Sequence, residues 1–117
     1  MNIKFLVSSL ITVVFMSGCT QTAFPTDGTS DSWQTFGYEQ SKKGYMKKTP
    51  EELNVNDAAL ETAYSKGYEK GRNEYCAQDA YKLGIMGKSY LGICDDLDWR
   101  FRMKYNDGRS NQSLGRL

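Results

Sequence analysis

The sequence predicts an all-α fold in the form of a small, mainly helical domain. Apolar and aromatic residues recur at helical spacing in three segments between Trp33 and Tyr105. A residue that commonly caps helices precedes each segment, and a glycine follows each one. Because the chain has only 117 residues, we expect a single helical domain.

The N-terminus has the pattern of a secretory signal peptide. Lys4 precedes an apolar run over residues 5–16, and two small residues then lead to Cys19. The run is too short to cross a bilayer as a mature helix. We therefore predict a cleaved signal over residues 1–18, and the alternative is an anchor that stays uncleaved.

The residues before Cys19 resemble the bacterial lipoprotein signal, with Met16 where leucine is more common. The resemblance implies that Cys19 becomes the lipidated first residue of the mature chain, so that the membrane itself is a partner. It also implies the periplasmic side of the outer membrane, because Thr20 stands where aspartate usually marks inner-membrane retention. Several acyl chains anchor firmly, since each buried methylene adds about 0.8 kcal/mol.

The balance of charge argues against a nucleic-acid partner. Without residues 1–18 the chain has 117 − 18 = 99 residues, with 15 − 1 = 14 basic and 14 acidic side chains, whereas nucleic-acid binding needs a basic surface. Two basic clusters are expected to be solvated helix faces. The alternative for the first is contact with the phosphates of lipid or lipopolysaccharide. The clusters are Lys42, Lys43, Lys47 and Lys48, and Arg100, Arg102, Lys104 and Arg109.

The two remaining cysteines predict a disulfide. With Cys19 lipidated, Cys76 and Cys94 form an even pair in an oxidising compartment. A bridge between them is worth roughly 3 kcal/mol in the chain-entropy model. A zinc site is the competing interpretation, but the chain has no histidine and two cysteines do not complete such a site. We expect no metal and no cofactor.

The first half of the mature chain predicts a tether and two short helices. Residues 19–31 are rich in Thr, Ser, Asp and Gly and predict a flexible lipidated tether. A helical domain over residues 32–109 follows, and Asp31 or Ser32 can cap its first helix. That helix carries Trp33, Phe36, Gly37 and Gln40 on one face and is expected to stop at Gly44. The segment TPEE over residues 49–52 predicts a capping box.

A longer helix is predicted from Asn56 or Asp57 to Leu83, with Gly84 as its end. One stripe of this helix combines aromatic residues with glycines, although each glycine inside a helix costs roughly 0.5–1 kcal/mol relative to alanine. We therefore predict a flat notch in which another helix, a loop or a partner packs closely. The charged residues around the stripe exclude a bilayer span. The stripe consists of Leu60, Tyr64, Gly67, Tyr68, Gly71 and Tyr75.

The last third predicts a glycine-rich ordered loop up to Cys94 and then one more helix. Asp95 or Asp96 is the expected cap, and Gly108 is the expected end. Residues 110–117 predict a frayed tail. The helix carries Leu97, Phe101, Met103 and Tyr105. A tyrosine one turn before a glycine recurs along the chain. We interpret this spacing as a packing motif that is repeated where helices cross.

These tyrosine, glycine and cysteine spacings are similar to those of a family of short Gram-negative lipoproteins of unknown function. The most specific blocks are Tyr75-Cys76 and the Gly-x-x-Gly-x-x-Tyr-x-Gly-x-Cys pattern over residues 84–94. The resemblance covers roughly residues 33–109. It implies a location and an architecture, and it implies no activity.

Catalytic chemistry has little support in the sequence. The absence of histidine removes the commonest general base, and the cluster Asp95, Asp96 and Asp98 is better explained by helix capping. Glu69 and Glu74 fall on different helix faces, which disfavours a glycosidase pair. We therefore expect no enzyme but a binding or scaffolding module for an envelope protein. The alternatives are a glycan or peptidoglycan binder using exposed aromatic residues, and a carboxylate-dependent hydrolase. Tyr90 and Trp99, which flank Cys94, are left open between core and surface.

Overall fold

A computed structural model describes residues 24–112, and this part of the chain is all-α, as predicted. The signal peptide, Cys19 and the first tether residues lie outside the described residues, as does the end of the tail. The five helices are α1 (Ser30–Lys42), α2 (Pro50–Leu53), α3 (Ala58–Cys76), α4 (Ala80–Ile85) and α5 (Trp99–Ser110). Within residues 24–112, no helix has the length and apolarity needed to cross a membrane.

Helix α1 begins slightly earlier than predicted. Its cap is Thr29, whose side chain accepts a hydrogen bond from the Ser32 backbone N–H, so the predicted caps Asp31 and Ser32 are wrong. Thr29 can take this role because its backbone is extended, as a capping residue requires. The predicted stop is correct, since Gly44 follows α1 with a positive φ of 84°.

The predicted start of α2 is confirmed. Thr49 accepts a hydrogen bond of 3.3 Å from the Glu52 backbone N–H, and Pro50 occupies the first helical position. Asp57 likewise caps α3 as predicted, accepting from the Ala59 N–H at 2.9 Å.

The predicted long helix to Leu83 is wrong, because the chain breaks after Cys76 and starts again as α4. Asp79 accepts from the Lys82 backbone N–H at 3.1 Å and thereby caps a new helix. Gly84 is consequently not a helix end. It lies buried inside α4, and the chain turns afterwards at Gly87, which has a φ of 69°.

Helix α5 also differs from the prediction at both ends. Asp98 caps it by accepting from the Arg100 backbone N–H at 3.1 Å, so neither Asp95 nor Asp96 is the cap. Gly108 is buried within the helix rather than ending it. Of the residues that the sequence assigned to this helix, Leu97 lies before its start, and Leu97 and Met103 are both exposed.

The helices pack as two crossed pairs, α1 with α3 and α4 with α5, and glycines lie at both crossings. A Cβ on Gly37 would overlap the Tyr64 carbonyl oxygen. A Cβ on Gly108 would likewise overlap the carbonyl oxygen of Tyr81, three residues before Gly84. Each pair has its own core. The first core contains Trp33, Phe36, Leu53, Ala63, Tyr64 and Tyr68, and the second contains Tyr75, Ala80, Ile93, Cys94, Phe101 and Tyr105.

Candidate functional site

Helix α1 of the same chain fills the predicted notch on α3. A Cβ on Gly67 would overlap the carbonyl oxygen of Gln34, and a Cβ on Gly71 would overlap the Ser41 hydroxyl. Tyr64, Tyr68 and Tyr75 are all buried. Between the two predicted uses of the notch, close packing therefore describes this geometry, because α1 occupies the space above both glycines.

The same three tyrosines hold the loop that follows α1. Tyr64 accepts a hydrogen bond of 2.9 Å from the Lys48 backbone N–H, and Tyr68 donates one of 2.7 Å to the Tyr45 carbonyl. The ring of Tyr75 lies against Gly44, where an added Cβ would come within 2.8 Å of it. The loop thus runs along the tyrosine stripe in the opposite direction to α3, with a backbone contact at each ring.

Burial raises the pKa of the Tyr68 hydroxyl from 10.0 to about 12. An unfolded chain releases this proton near pH 10, whereas the folded chain holds it to about pH 12. The stability contributed by the neutral hydroxyl is therefore fully present below pH 10 and is lost as the pH rises towards 12. Burial also raises the pKa of Tyr64 and Tyr75, which adds to the same trend.

We predict that the free energy of unfolding falls by roughly 2 kcal/mol between pH 10 and pH 12 through Tyr68. Tyr68→Phe should cost about 1 kcal/mol at pH 7, because the Tyr45 carbonyl loses its donor, and should flatten this alkaline decline. Urea unfolding at several pH values measures both effects. The control Tyr81→Phe removes an exposed hydroxyl and should leave the decline intact. If the free energy of unfolding of Tyr68→Phe fell equally between pH 10 and pH 12, the decline could not be due to Tyr68.

Cys76 and Cys94 form the predicted disulfide, with their Cα atoms 5.6 Å apart. The bridge joins the last residue of α3 to the loop before α5. Tyr90 reinforces this loop, because its hydroxyl donates to Asp95 at 2.7 Å and accepts from the Cys94 backbone N–H at 3.1 Å. Arg102 binds the same carboxylate at 2.8 Å, and its guanidinium and the Tyr90 hydroxyl hold the pKa of Asp95 below its usual value.

Four of the acidic residues considered for catalysis, Asp95, Asp98, Glu69 and Glu74, have partners within the fold. Asp98 caps α5 and Asp95 binds Arg102. Glu69 lies 2.6 Å from Arg72, while Glu74 accepts a short hydrogen bond from the Tyr38 hydroxyl. Within residues 24–112, no group of three or more acidic or cysteine side chains could hold a metal ion.

Exposed apolar side chains define two surfaces that the sequence patterns did not locate. On α5, Trp99 is 66% exposed and Met103, one turn later, is 54% exposed. In the loop after α1, Tyr45 and Met46 are exposed between lysines. Tyr90, by contrast, packs 5.0 Å from the ring of Phe101 in the second core.

A groove lies between the end of α3, α4 and α5. Its volume is about 570 Å³, and Tyr81 and Phe101 contribute aromatic surface to it. The groove is also lined by the polar side chains of Asp79, Asp98 and Lys104, of which the two aspartates cap α4 and α5. The groove therefore combines a partly exposed aromatic ring with carboxylate and ammonium groups.

Comparison with known proteins identifies a family and gives no information on activity. No curated protein and no solved structure matches the chain. The family model described as protein of unknown function, DUF2799, matches residues 32–110, which is more than half of the chain. This range contains both helix pairs and the disulfide. The chain therefore belongs to the DUF2799 family.

Proposed function

We propose that the protein is a lipoprotein of the outer membrane, anchored by Cys19 on the periplasmic side, and that it works as a non-enzymatic binding or scaffolding module. The signal-like N-terminus supports secretion and lipidation. The disulfide supports an oxidising compartment, because such bonds persist there and are rare in the cytosol.

The observation that carries the binding role is the outward face of α5. Phe101 and Tyr105 point into the second core, so Trp99 and Met103 lie on the opposite side of the helix. A tryptophan this exposed leaves a large apolar surface in water, and tryptophan is enriched among residues that dominate protein interfaces. We propose this face as the contact for an envelope protein.

Charges around this face favour an acidic partner. Arg100 is held by Asp98 at 3.0 Å and Arg102 by Asp95 at 2.8 Å, so each of these charges is offset by a carboxylate. Lys104, next to Met103, has no carboxylate within ion-pair distance among the described residues. Complementary charges at an interface rim mainly speed association and select the partner. An acidic rim around an apolar pocket would therefore complement α5.

Glycan or peptidoglycan binding is the second candidate, and the groove beside Tyr81 favours it. An exposed aromatic ring offers a stacking surface, and the neighbouring Asp79, Asp98 and Lys104 offer polar partners for sugar hydroxyls or carboxylates. The buried stripe tyrosines take no part in this candidate site. A carboxylate-dependent hydrolase is not proposed, because Glu69 and Glu74 are engaged by Arg72 and Tyr38.

Photo-crosslinking in cells tests these proposals on the full chain. A photoreactive residue in place of Trp99 should give one product of defined mass, and the same residue in place of the exposed Lys66 on α3 is the control. Adding Met103→Lys should abolish the Trp99-site product. A product that is released by muramidase would instead favour peptidoglycan. No product at the Trp99 site, or equal products at both, would contradict the proposed face.

The lipoprotein part of the proposal is tested in the same cells. Cys19→Ala should leave the precursor uncleaved and without acyl chains, which gel mobility and fatty-acid labelling detect. Normal processing and acylation of this variant would overturn the lipoprotein assignment.

A further inference from the structure

The loop after α1 has the composition of a surface that contacts lipid. Together with Lys42, the last residue of α1, it has the sequence KKGYMKK over residues 42–48, and we refer to this segment as the lysine loop. Two exposed apolar side chains, Tyr45 at 45% and Met46 at 55%, lie at its centre. Aromatic and apolar groups flanked by lysines suit the boundary between lipid headgroups and acyl chains.

The lysine loop is held in place rather than free to fold back. Its backbone is bound at Tyr45 by the Tyr68 hydroxyl and at Lys48 by the Tyr64 hydroxyl. Both hydroxyls belong to buried rings of the first core. Because the fold fixes this backbone in advance, contact with a membrane costs little additional ordering.

The loop also lies beside the point where the chain enters the domain. The Lys48 ammonium is 6.0 Å from the ring centre of Phe24, which packs on Trp33 and Phe36 and is 41% exposed. Residues 19 and 24 are five positions apart, and five residues span at most about 18 Å. A lipid on Cys19 therefore holds Phe24 within about 18 Å of the bilayer surface, and the Lys48 ammonium lies 6.0 Å from the Phe24 ring centre.

The charges of the lysine loop are only partly neutralised by the protein. Lys47 lies 3.6 Å from Glu69, and Lys42 lies over the Tyr38 ring, next to Glu74. Within residues 24–112, Lys43 and Lys48 have no carboxylate within ion-pair distance. Each lysine near an anionic membrane raises binding roughly fivefold.

We propose that the lysine loop and Phe24 form a second membrane contact, in which Tyr45 and Met46 enter the headgroup region and Lys43 and Lys48 bind the phosphates of anionic phospholipids. This inference rests on the proposed anchoring by Cys19. It gives the domain a fixed orientation, with the lysine loop and Phe24 on the side that faces the membrane.

Depth measurements on the full acylated chain in vesicles containing phosphatidylethanolamine and phosphatidylglycerol test the proposal. Acylation of Cys19 and the Cys76–Cys94 bond leave an introduced cysteine as the free thiol for a fluorescent label. Met46→Cys places the label in the lysine loop, and Met103→Cys is the matched control, because both methionines are almost equally exposed. Brominated lipids should quench the label at position 46 at least about twofold more than the label at position 103.

Charge dependence provides the second measurement. Lys43→Gln with Lys48→Gln should lower the ratio of membrane-bound to free loops by roughly tenfold or more, and so should omission of phosphatidylglycerol. Lys66→Gln with Lys82→Gln removes the same charge elsewhere and should have little effect. Equal quenching at positions 46 and 103 of acylated protein would overturn this contact alone. If mass spectrometry shows no acyl chain on Cys19, the proposed anchoring and this contact both fail.

Discussion

Gly67→Ala is expected to destabilise the domain by about 3 kcal/mol, at the upper end of what overpacking a core costs. The added methyl group would overlap the carbonyl oxygen of Gln34, which belongs to the backbone of α1 and cannot rotate away. Helices α1 and α3 would have to separate, and the rings of Trp33 and Tyr64 beside the crossing would lose contacts. Alanine favours a helix by at most about 1 kcal/mol over glycine, which is too little to offset this loss.

Urea or thermal unfolding of the full chain in detergent measures the effect. Lys66→Ala is the matched control, because it changes the neighbouring, exposed position of the same helix and should leave stability within about 0.5 kcal/mol. Gly71→Leu should also destabilise, since a Cβ there overlaps the Ser41 hydroxyl and the backbone carbonyl oxygen of Tyr38. Gly71→Ala should be milder because it adds only one methyl group, but it should still destabilise, since the carbonyl cannot rotate away. An increase in melting temperature for Gly67→Ala would show that the helices do not cross at this glycine.

Sequence patterns were sufficient to predict the structure where it depends on interactions between residues close together in the chain. The capping contacts of Thr49 and Asp57 lie within three residues of each cap, and a positive φ at Gly44 is a local property of glycine. The shared face of the α3 stripe also follows from spacing alone, because residues three and four apart lie on the same side of a helix. These are the parts of the fold that the sequence predicted correctly.

The errors occurred where two structures share one local pattern. The sequence around Asp79 is compatible both with the interior of a continuous helix and with the start of a new one. The break after Cys76 was therefore not predicted. Gly84 and Gly108 were predicted as helix ends, yet each lies where the other helix approaches its backbone. A glycine that ends a helix and a glycine that admits a neighbour differ only in tertiary contacts.

Local sequence patterns also could not predict the candidate surfaces, because these depend on contacts between residues that are far apart in the chain. The Tyr68 hydroxyl binds the carbonyl of Tyr45, 23 residues away, and the Tyr64 hydroxyl binds the backbone of Lys48, 16 residues away. Only the fold shows that these contacts present Tyr45 and Met46 to solvent. Trp99 was left open between core and surface, because spacing alone does not show which side of α5 faces the second core.

Removing the disulfide by Cys76→Ala with Cys94→Ala is expected to cost about 3 kcal/mol. The two cysteines are 18 positions apart, and the bridge closes this loop around α4. Cys94 is fully buried in the second core, so its loss also removes packing there. Small domains have thin cores, and a contribution of this size is a large share of their total stability.

The loss of stability should be larger in the second helix pair than in the first, because the bridge connects α3 to the second pair rather than to α1. The first core consists of residues from α1, α2 and α3 and contains neither cysteine. Amide hydrogen exchange should therefore accelerate over residues 80–110 while residues 30–42 and 58–72 keep their protection. Reduction of the wild-type protein is the control and should reproduce this pattern. If exchange accelerated equally in both regions, the two helix pairs would unfold as one unit. If exchange did not change, the contacts of Tyr90, Asp95 and Arg102 would hold the loop without the bridge.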